Sequence, residues 1–148
     1  MQTGPLLSPT LFRRYLKPRY AEIFKLIHKK TNAKIFMHTC GSVRQLIPDF
    51  IEIGLDVLNP IQPLASGMEI DGLKKDFGDR LSFHGGIDIQ RLLPNGSPEE
   101  VEAEVKHLIE VGGKDDGLIL AGAHNIQADV PPSNVLAIFK AARSTGGQ

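Results

Sequence analysis

Four short apolar segments, each followed by a helical one, constrain the fold of this chain more than any other feature. The apolar segments are rich in β-favouring side chains and span residues 34–37, 56–59, 81–84 and 117–121. Apolar residues then repeat at helical spacing over residues 43–53, 69–77, 97–112 and 131–143. Because short buried strands that alternate with helices form a parallel sheet covered by helices, we predict an α/β fold of four βα units.

Local signals mark the starts of two helices. Ser8 and Pro9 begin a helix ahead of the first strand, and apolar residues repeat at helical spacing from there to Lys30. Pro18 lacks an amide hydrogen, so we expect it to kink this helix or divide it in two. The segment 97–100 is a capping box that starts the third of the later helices. The final residues, 144–148, are predicted to be a frayed tail.

The number of βα units limits the choice of architecture. Four units are half of an eight-unit TIM barrel, which typically needs about 250 residues. An open half-barrel has two unpaired strand edges, which favour pairing with another chain. We therefore expect residues 1–148 to form one domain that is part of a longer protein or completes itself as a dimer. A flavodoxin-like doubly wound sheet is the alternative, and the pattern alone does not separate the two.

Charge and cysteine content exclude several functional classes. The 17 basic residues balance the 17 acidic ones, so no net field recruits a nucleic acid or an anionic membrane. The single cysteine excludes an intrachain disulfide and favours a reducing setting. No apolar run approaches the roughly 20 residues that span a bilayer, and no signal peptide is recognisable after Met1. We therefore predict a soluble cytoplasmic protein.

Polar side chains collect where the predicted strands end. In parallel sheets covered by helices, ligands bind at the carboxyl ends of the strands. The polar residues at or just after these ends are His38, Cys40, Asn59, Gln62, His84, Asp88, His124, Asn125 and Gln127. We therefore expect the functional site to be built from these four loops.

His38 and Cys40 form the most specific pair among these residues. Residues two apart on an extended backbone project to the same side, so the imidazole and the thiol should leave the first strand together. Zinc prefers this combination of nitrogen and sulfur ligands. The alternative is a buried cysteine beside a hydrogen-bonded structural histidine.

The other loop residues are candidates for substrate binding, each with a structural alternative. This set comprises Asn59, Gln62, His84, Gly86, Asp88 and Gln127. The amide side chains either line the pocket or hydrogen-bond to neighbouring loop backbone. His84 is a candidate general acid or metal ligand, or has a hydrogen-bonded structural role. Gly85 and Gly86 either let the backbone approach a ligand or form a tight turn, and Asp88 contacts substrate or, as we favour, caps the helix after it.

Several segments in the same order resemble the carboxyl-terminal half of the uroporphyrinogen decarboxylase superfamily. These segments are Thr3–Pro9 with Lys17–Tyr20, His38–Ser42, Asn59–Gln62, Phe83–Asp88, and His124–Gln127 with Pro131–Asn134. The resemblance covers nearly the whole chain. It implies a (β/α)8 barrel of which this chain supplies the last four units, and it implies that the first half is missing.

The superfamily has two main chemistries, and the resemblance bears on both. The decarboxylases use no metal and rely on an arginine-rich segment and an aspartate near their N-terminus, neither of which is in this chain. The methyltransferases hold zinc through a His-x-Cys motif and a further cysteine on the last strand's loop. His38 and Cys40 match the motif, whereas His124 stands at the position of the last cysteine. Histidine is also a zinc ligand, but the decarboxylases resemble this chain in having a histidine there.

The resemblance therefore implies a zinc-dependent methyltransferase, with His38, Cys40 and His124 as the metal ligands. It would move a methyl group between a small methylated substrate or thiol and a corrinoid (cobalamin) carried by a partner protein. The missing N-terminal half or a homodimer partner would complete the barrel. The alternatives are porphyrinogen decarboxylation by a complete barrel and a non-catalytic, truncated half-barrel.

Overall fold

The computed structural model describes residues 1–114 and 116–146, and its four strands form one parallel sheet. The strands are β1 (Phe36–His38), β2 (Val57–Ile61), β3 (Ser82–Ile87) and β4 (Leu118–Gly122). Their order in the sheet is β1-β2-β3-β4, so each strand pairs with the next one along the chain. Within the described residues, β1 and β4 each pair with one strand and form the two edges of the sheet.

This strand order decides between the two architectures that the pattern left open. A doubly wound sheet reverses its strand order at a switch point, whereas a TIM barrel adds each strand beside the previous one. The sequential order therefore makes the flavodoxin-like alternative wrong. The four βα units form half of a TIM barrel, preceded by an N-terminal helix.

Helical segments precede β1 and follow every strand. They are α1 (Pro9–Leu11), a π-helical segment (Phe12–Leu16), α2 (Lys17–Lys30), a 3-10 turn (Arg44–Leu46), α3 (Ile47–Glu52), α4 (Ile70–Phe77), α5 (Leu92–Asn95), α6 (Pro98–Gly112) and α7 (Pro132–Gly146). The predicted capping box is present at the start of α6. None of the helices in the described part of the chain is long and apolar enough to cross a membrane.

The helix before β1 changes its winding just ahead of Pro18, where the sequence predicted a kink or a division. Before it, the amide of Lys17 donates to the carbonyl of Phe12, five residues earlier, which makes the preceding segment π-helical. Pro18 then lies in the first turn of α2, where the helix does not need its missing amide hydrogen. The helix therefore continues through Pro18 as one rod with a local change of winding.

All four strands end later than the sequence predicted, β4 by one residue at Gly122, and α3 begins later, at Ile47. β1 ends at His38 instead of residue 37, and β3 continues through both glycines to Ile87. β2 runs through Pro60 to Ile61, where the sequence predicted a loop. Pro60 is tolerated because the pairing of β2 with β3 shifts register between Leu58 and Ile61, so no ladder hydrogen bond is required of its nitrogen.

The predicted frayed tail is also partly wrong. α7 continues through Ser144 and Thr145 to Gly146, and residues 147–148 lie outside the described part of the chain. The Ser144 hydroxyl donates to the carbonyl of Ala141 at 2.9 Å, and Ala141 is fully buried. A hydrogen bond to the buried part of α7 therefore helps to extend the helix through residues of weak helix propensity.

The two faces of the sheet have different surroundings. Met37, Leu58, Phe83 and Leu118 are register partners on the face beneath the helices, and Leu58 and Phe83 are fully buried. Strand alternation places Phe36, His38, Asn59, His84 and Ile119 on the opposite face. Phe36 is 50% exposed and Ile119 is 47% exposed there. This open face, which would line the inside of a closed barrel, carries the polar residues that the sequence singled out.

Candidate functional site

A hydrogen-bonded row of four side chains crosses the ends of β1, β2 and β3. His38 Nε2 lies 3.1 Å from Cys40 Sγ, and His38 Nδ1 lies 2.6 Å from Asn59 Oδ1. On the other side, Asn59 Nδ2 lies 2.6 Å from His84 Nδ1. Two of the predicted substrate-binding residues thus join the predicted metal pair in one network.

Parallel register brings these residues together. His38 and Asn59 are paired across β1 and β2, and His84 occupies the neighbouring position on β3, where its ring packs edge-on against Phe36. Cys40 follows His38 by two residues, so the extended backbone aims both side chains the same way. The sequence analysis missed the bridging role of Asn59. The signal was available, because Asn59 and His84 are each the last residue of a predicted strand.

The loop after β1 is supported by the first residues of the chain. Gly41 has a φ of +86°, and a Cβ there would lie 2.6 Å from the carbonyl oxygen of Met1. The amide of Ser42 donates to that oxygen at 2.8 Å, and the amide of Ser66 donates to the carbonyl of Gln2, also at 2.8 Å. The sequence analysis missed this contact because residues 1–7 show no periodicity.

A cavity of about 380 Å³ opens beside the network. Its lining residues are His38, Asn59, Pro60, His84, Ala121, Gly122, Ala123, His124 and Asn125. His38 and His124 therefore face one space, although they follow opposite edge strands of the sheet. The lining contains three imidazoles and two amide side chains but no side chain of lysine, arginine, aspartate or glutamate.

The structure brings together two of the three predicted metal ligands. Cys40 is exposed and contacts the His38 ring, and the two donors could hold an ion between them. His124 is exposed on the loop after β4, and two strands lie between β4 and β1. Within residues 1–114 and 116–146, no three histidine, cysteine, aspartate or glutamate side chains converge as a metal-binding group.

A comparison with protein families decides the membership of the chain. The family model described as uroporphyrinogen decarboxylase (URO-D) matches residues 2–145. The chain belongs to this family. The resemblance inferred from the loop motifs is therefore confirmed.

Relatives in the URO-D family include proteins with both of its chemistries in their names. The methylated-thiol–coenzyme M methyltransferase of Methanosarcina mazei is 24% identical over 143 residues, covering 97% of this chain and 35% of that protein. The uroporphyrinogen decarboxylase of Wolinella succinogenes is 26% identical over 129 residues, covering 87% and 32%. That of Serratia proteamaculans is 29% identical over 80 residues, covering 54% and 22%. The chain thus spans about a third of the length of the first two relatives.

The remaining predicted substrate-binding residues of this URO-D chain are engaged within its own loops. Gln62 accepts a hydrogen bond from the Gly41 amide through Oε1, and Gln127 donates to the carbonyl of Asn125 at 3.1 Å. Asp88 accepts from the amides of Gln90 at 2.7 Å, Arg91 at 3.2 Å and Leu92 at 3.2 Å. The favoured capping role of Asp88 therefore has direct geometric support.

Gly86 has a structural reason to be glycine. Its φ is +98°, and a Cβ there would lie 3.2 Å from the Leu108 side chain on α6. The position therefore allows β3 and α6 to approach each other closely. The side of Gly86 that would carry a Cβ lies against α6. Ligand contact at Gly86 remains a prediction.

A second, largely apolar cavity of about 410 Å³ shares His38 with the first and is also lined by Cys40. It is bounded by the N-terminal segment, the first helical rod, the edge of β1 and α3, and its lining includes Leu7, Phe12, Met37, Cys40 and Phe50. The sequence analysis did not identify this space. β1 is an edge strand of the described sheet, and residues at its end, Met37 to Cys40, line this space.

One buried carboxylate, Asp49, and one partly buried carboxylate, Asp56, fix the elements around the site. Burial raises the pKa of Asp49, but hydrogen bonds from Arg13 and Lys17 outweigh it, so the pKa lies below its usual value. Burial also raises the pKa of Asp56, and hydrogen bonds from the Ile35 amide and Lys34 outweigh it in the same way. Asp49 holds the first helical rod to α3, and Asp56 holds the approach to β1 against the start of β2.

Proposed function

We propose that this chain supplies the zinc-binding half of a URO-D family methyltransferase. The enzyme would move a methyl group between a small methylated compound or thiol and a corrinoid carried by a partner protein. One observation carries the proposal: Cys40 Sγ lies 3.1 Å from His38 Nε2 at the carboxyl end of β1, on the face that would line a closed barrel.

The donor pair suits zinc in chemistry and in spacing. Zinc binds imidazole nitrogen at about 2.0 Å and thiolate sulfur at about 2.3 Å, so two such ligands of a tetrahedral ion lie about 3.5 Å apart. The separation of 3.1 Å between His38 and Cys40 is within half an ångström or so of that value. Asn59 Oδ1 holds the other ring nitrogen, as hydrogen-bond acceptors behind metal-bound histidines commonly do.

His124 is our candidate for the third ligand. It lines the same cavity as His38, and an imidazole can replace a thiolate at zinc. Three strand spacings of about 4.8 Å separate β1 from β4 along the sheet, which explains why the three side chains do not form one group in the described residues. The exposed loop after β4 is the part that would have to bring His124 to the pair.

The residues around the pair would prepare the cavity for methyl transfer. When bound, zinc stabilises the thiolate form of a thiol, which is the form that accepts a methyl group. His38 and Cys40 would hold the ion at the edge of the cavity, and Asn59 would orient the His38 ring. No charged carboxylate lines the cavity, so its described residues would not repel an anionic sulfur.

Metal analysis of the purified 148-residue chain tests this proposal. We expect about one zinc ion per chain in the wild type and a steep loss in Cys40→Ser and His38→Ala, with an intermediate loss in His124→Ala. His107→Ala is the matched control, because His107 is a surface histidine that pairs with Asp71 at 3.1 Å on another part of the molecule. Wild-type protein that stays metal-free after incubation with zinc would contradict the proposal.

We propose further that the rest of a barrel, not a second copy, completes the sheet. The chain has a helical rod before β1 and α7 after β4, so two copies would bring two helices to each new strand junction, where a TIM barrel has one. Both terminal helices have exposed apolar side chains, namely Ile23, Leu26, Leu136 and Phe139. Light scattering tests this: a symmetric dimer whose β1 and β4 amides resist hydrogen exchange would favour the second copy.

A decarboxylase is the second candidate, because two of the relatives are named uroporphyrinogen decarboxylases. The described cavity has no arginine or lysine lining it, so the cationic groups for an acidic porphyrinogen would have to come from the completing half. Porphyrinogen decarboxylation by the completed barrel that persists in Cys40→Ser would favour this candidate over methyl transfer.

A further inference from the structure

The side-chain amide of Asn59 lies between two imidazole rings. Asn59 is only 8% exposed, its Oδ1 is 2.6 Å from His38 Nδ1, and its Nδ2 is 2.6 Å from His84 Nδ1. Asn59 is on β2, one of the two inner strands, and the two histidines are on the strands that flank it, β1 and β3. The amide is therefore in contact with both rings through its two chemically different ends.

The two ends of an amide impose opposite protonation patterns. The oxygen only accepts, so the His38 Nδ1 beside it must carry the hydrogen, and His38 Nε2 then has a free lone pair directed at Cys40. The nitrogen only donates, so the His84 Nδ1 beside it must accept, and the hydrogen of a neutral His84 ring lies on Nε2.

We propose that Asn59 is a positioning residue that holds His38 and His84 in opposite tautomers. His38 presents a lone pair to the thiol or to a metal ion, whereas His84 presents an N–H donor to the cavity it lines. His84 could become a ligand through Nε2 only with its hydrogen on Nδ1, where it would face the hydrogens of the Asn59 amide. The arrangement thus excludes His84 as a metal ligand and makes it a donor to an acceptor atom of the substrate, such as a carboxylate oxygen or a sulfur.

The role of His38 in this inference rests on the proposed zinc site, but the tautomers do not. They are properties of the metal-free chain and can be measured in it. Nitrogen-15 NMR distinguishes protonated from unprotonated ring nitrogens, and His38→Gln and His84→Gln assign the signals. At a pH where both rings are neutral, we expect His38 to be protonated at Nδ1 and His84 at Nε2 in the wild type.

Two variants separate positioning from a general structural role. Asn59→Asp offers two acceptor oxygens, so we expect the His84 hydrogen to appear on Nδ1 while His38 keeps its tautomer. Asn59→Leu has a similar volume and removes both contacts, so we expect both rings to lose their preference. The signals of His107, which is on the surface beside Asp71, should be the same in all three proteins.

Zinc affinity gives a second readout besides activity. Loss of the hydrogen bond behind a metal-bound histidine typically weakens metal binding about 10–100-fold, so we expect that loss in Asn59→Leu and little change in Asn59→Asp, which keeps an acceptor for His38. If the role of Asn59 were only structural, zinc affinity would instead fall in both variants, in proportion to their loss of stability.

The wild-type tautomers decide the proposal even where a variant fails to fold. Reversed tautomers in the wild type would overturn it, and so would an unchanged His84 tautomer in a folded Asn59→Asp protein. If the tautomers are as expected but the wild type binds no zinc, the proposed function fails while the assignment of Asn59 stands. If zinc binds but the tautomers are reversed, the assignment of Asn59 fails alone.

Discussion

One face of the sheet carries the buried side chains that stabilise the fold, and the other carries the polar side chains of the candidate site. The face beneath the helices carries Leu58 and Phe83, which are fully buried and paired across β2 and β3. The open face carries Phe36 and Ile119, which are about half exposed, together with the row from Cys40 to His84. Strand alternation alone produces this separation, because successive side chains point to opposite faces.

The difference shows how a half-barrel can keep an ordered site without a closed interior. Burial on the covered face supplies the hydrophobic stabilisation that fixes the strands and their register. On the open face, hydrogen bonds hold the side chains of His38, Asn59 and His84 against one another in partial contact with solvent. The site is therefore ordered because the covered face fixes the strands that carry it. Substitutions on each face can test whether stability and chemistry are separate in this way.

Removing a large side chain from each face should give the largest contrast. Phe83→Ala deletes a fully buried ring and leaves a cavity, so we expect a loss of about 3–5 kcal/mol in the free energy of unfolding. Phe36→Ala deletes a ring that is 50% exposed, so we expect a loss of roughly 0.5–1 kcal/mol. Urea unfolding followed by circular dichroism measures both. Equal losses would mean that the open face is also packed in solution, as it would be in an assembled barrel.

Much of the covered face was predictable from the sequence, whereas the network on the open face was not. The apolar runs through Leu58 and Phe83 indicate buried strands, and the Ser97 capping box marks the start of α6 by local chemistry alone. The contact between His38 and Asn59 depends on register, which is set by the packing of whole strands. The sequence could place both residues at strand ends, but the direction of the Asn59 amide follows from the three-dimensional contacts on both sides of it.

Boundaries failed where backbone geometry overrides local propensity. Pro60 and the two glycines after His84 look like loop residues, yet β2 and β3 run through them. A shift in pairing at β2 and a close helix behind β3 make these residues suitable there. The proposed third metal ligand, His124, shows a different limit, because its approach to the His38–Cys40 pair would depend on the loop after β4, whose path the sequence pattern does not describe.

A methyl group at Gly86 should disturb the covered face and leave the open face alone. The φ of +98° is unfavourable for any residue with a Cβ, and that Cβ would lie 3.2 Å from Leu108 on α6. We expect Gly86→Ala to lower the free energy of unfolding by about 1–3 kcal/mol. Gly4→Ala is the matched control, because a Cβ at Gly4 has nothing within 4 Å. If the zinc content of a folded Gly86→Ala protein fell as far as its stability, the two faces would not be separable at this position.

The smallest expected effect is the acid sensitivity of the covering helices. Hydrogen bonds from Arg13 and Lys17 hold the pKa of Asp49 below its usual value despite burial, so this carboxylate stabilises the fold above its unfolded pKa of about 3.9. That contribution is lost as the pH falls from there through the lower folded pKa. Because Arg13 is 53% exposed, solvent screens its interaction with Asp49, and we expect a contribution of about 1 kcal/mol or less.

Urea unfolding from pH 6 down to about pH 3 should show the free energy of unfolding decline in the wild type, and Asp49→Asn should flatten this decline. Glu104→Gln, on α6, is the control. If the free energy of unfolding fell as steeply with pH in Asp49→Asn as in Glu104→Gln, the contacts of Asp49 with Arg13 and Lys17 would contribute nothing to stability.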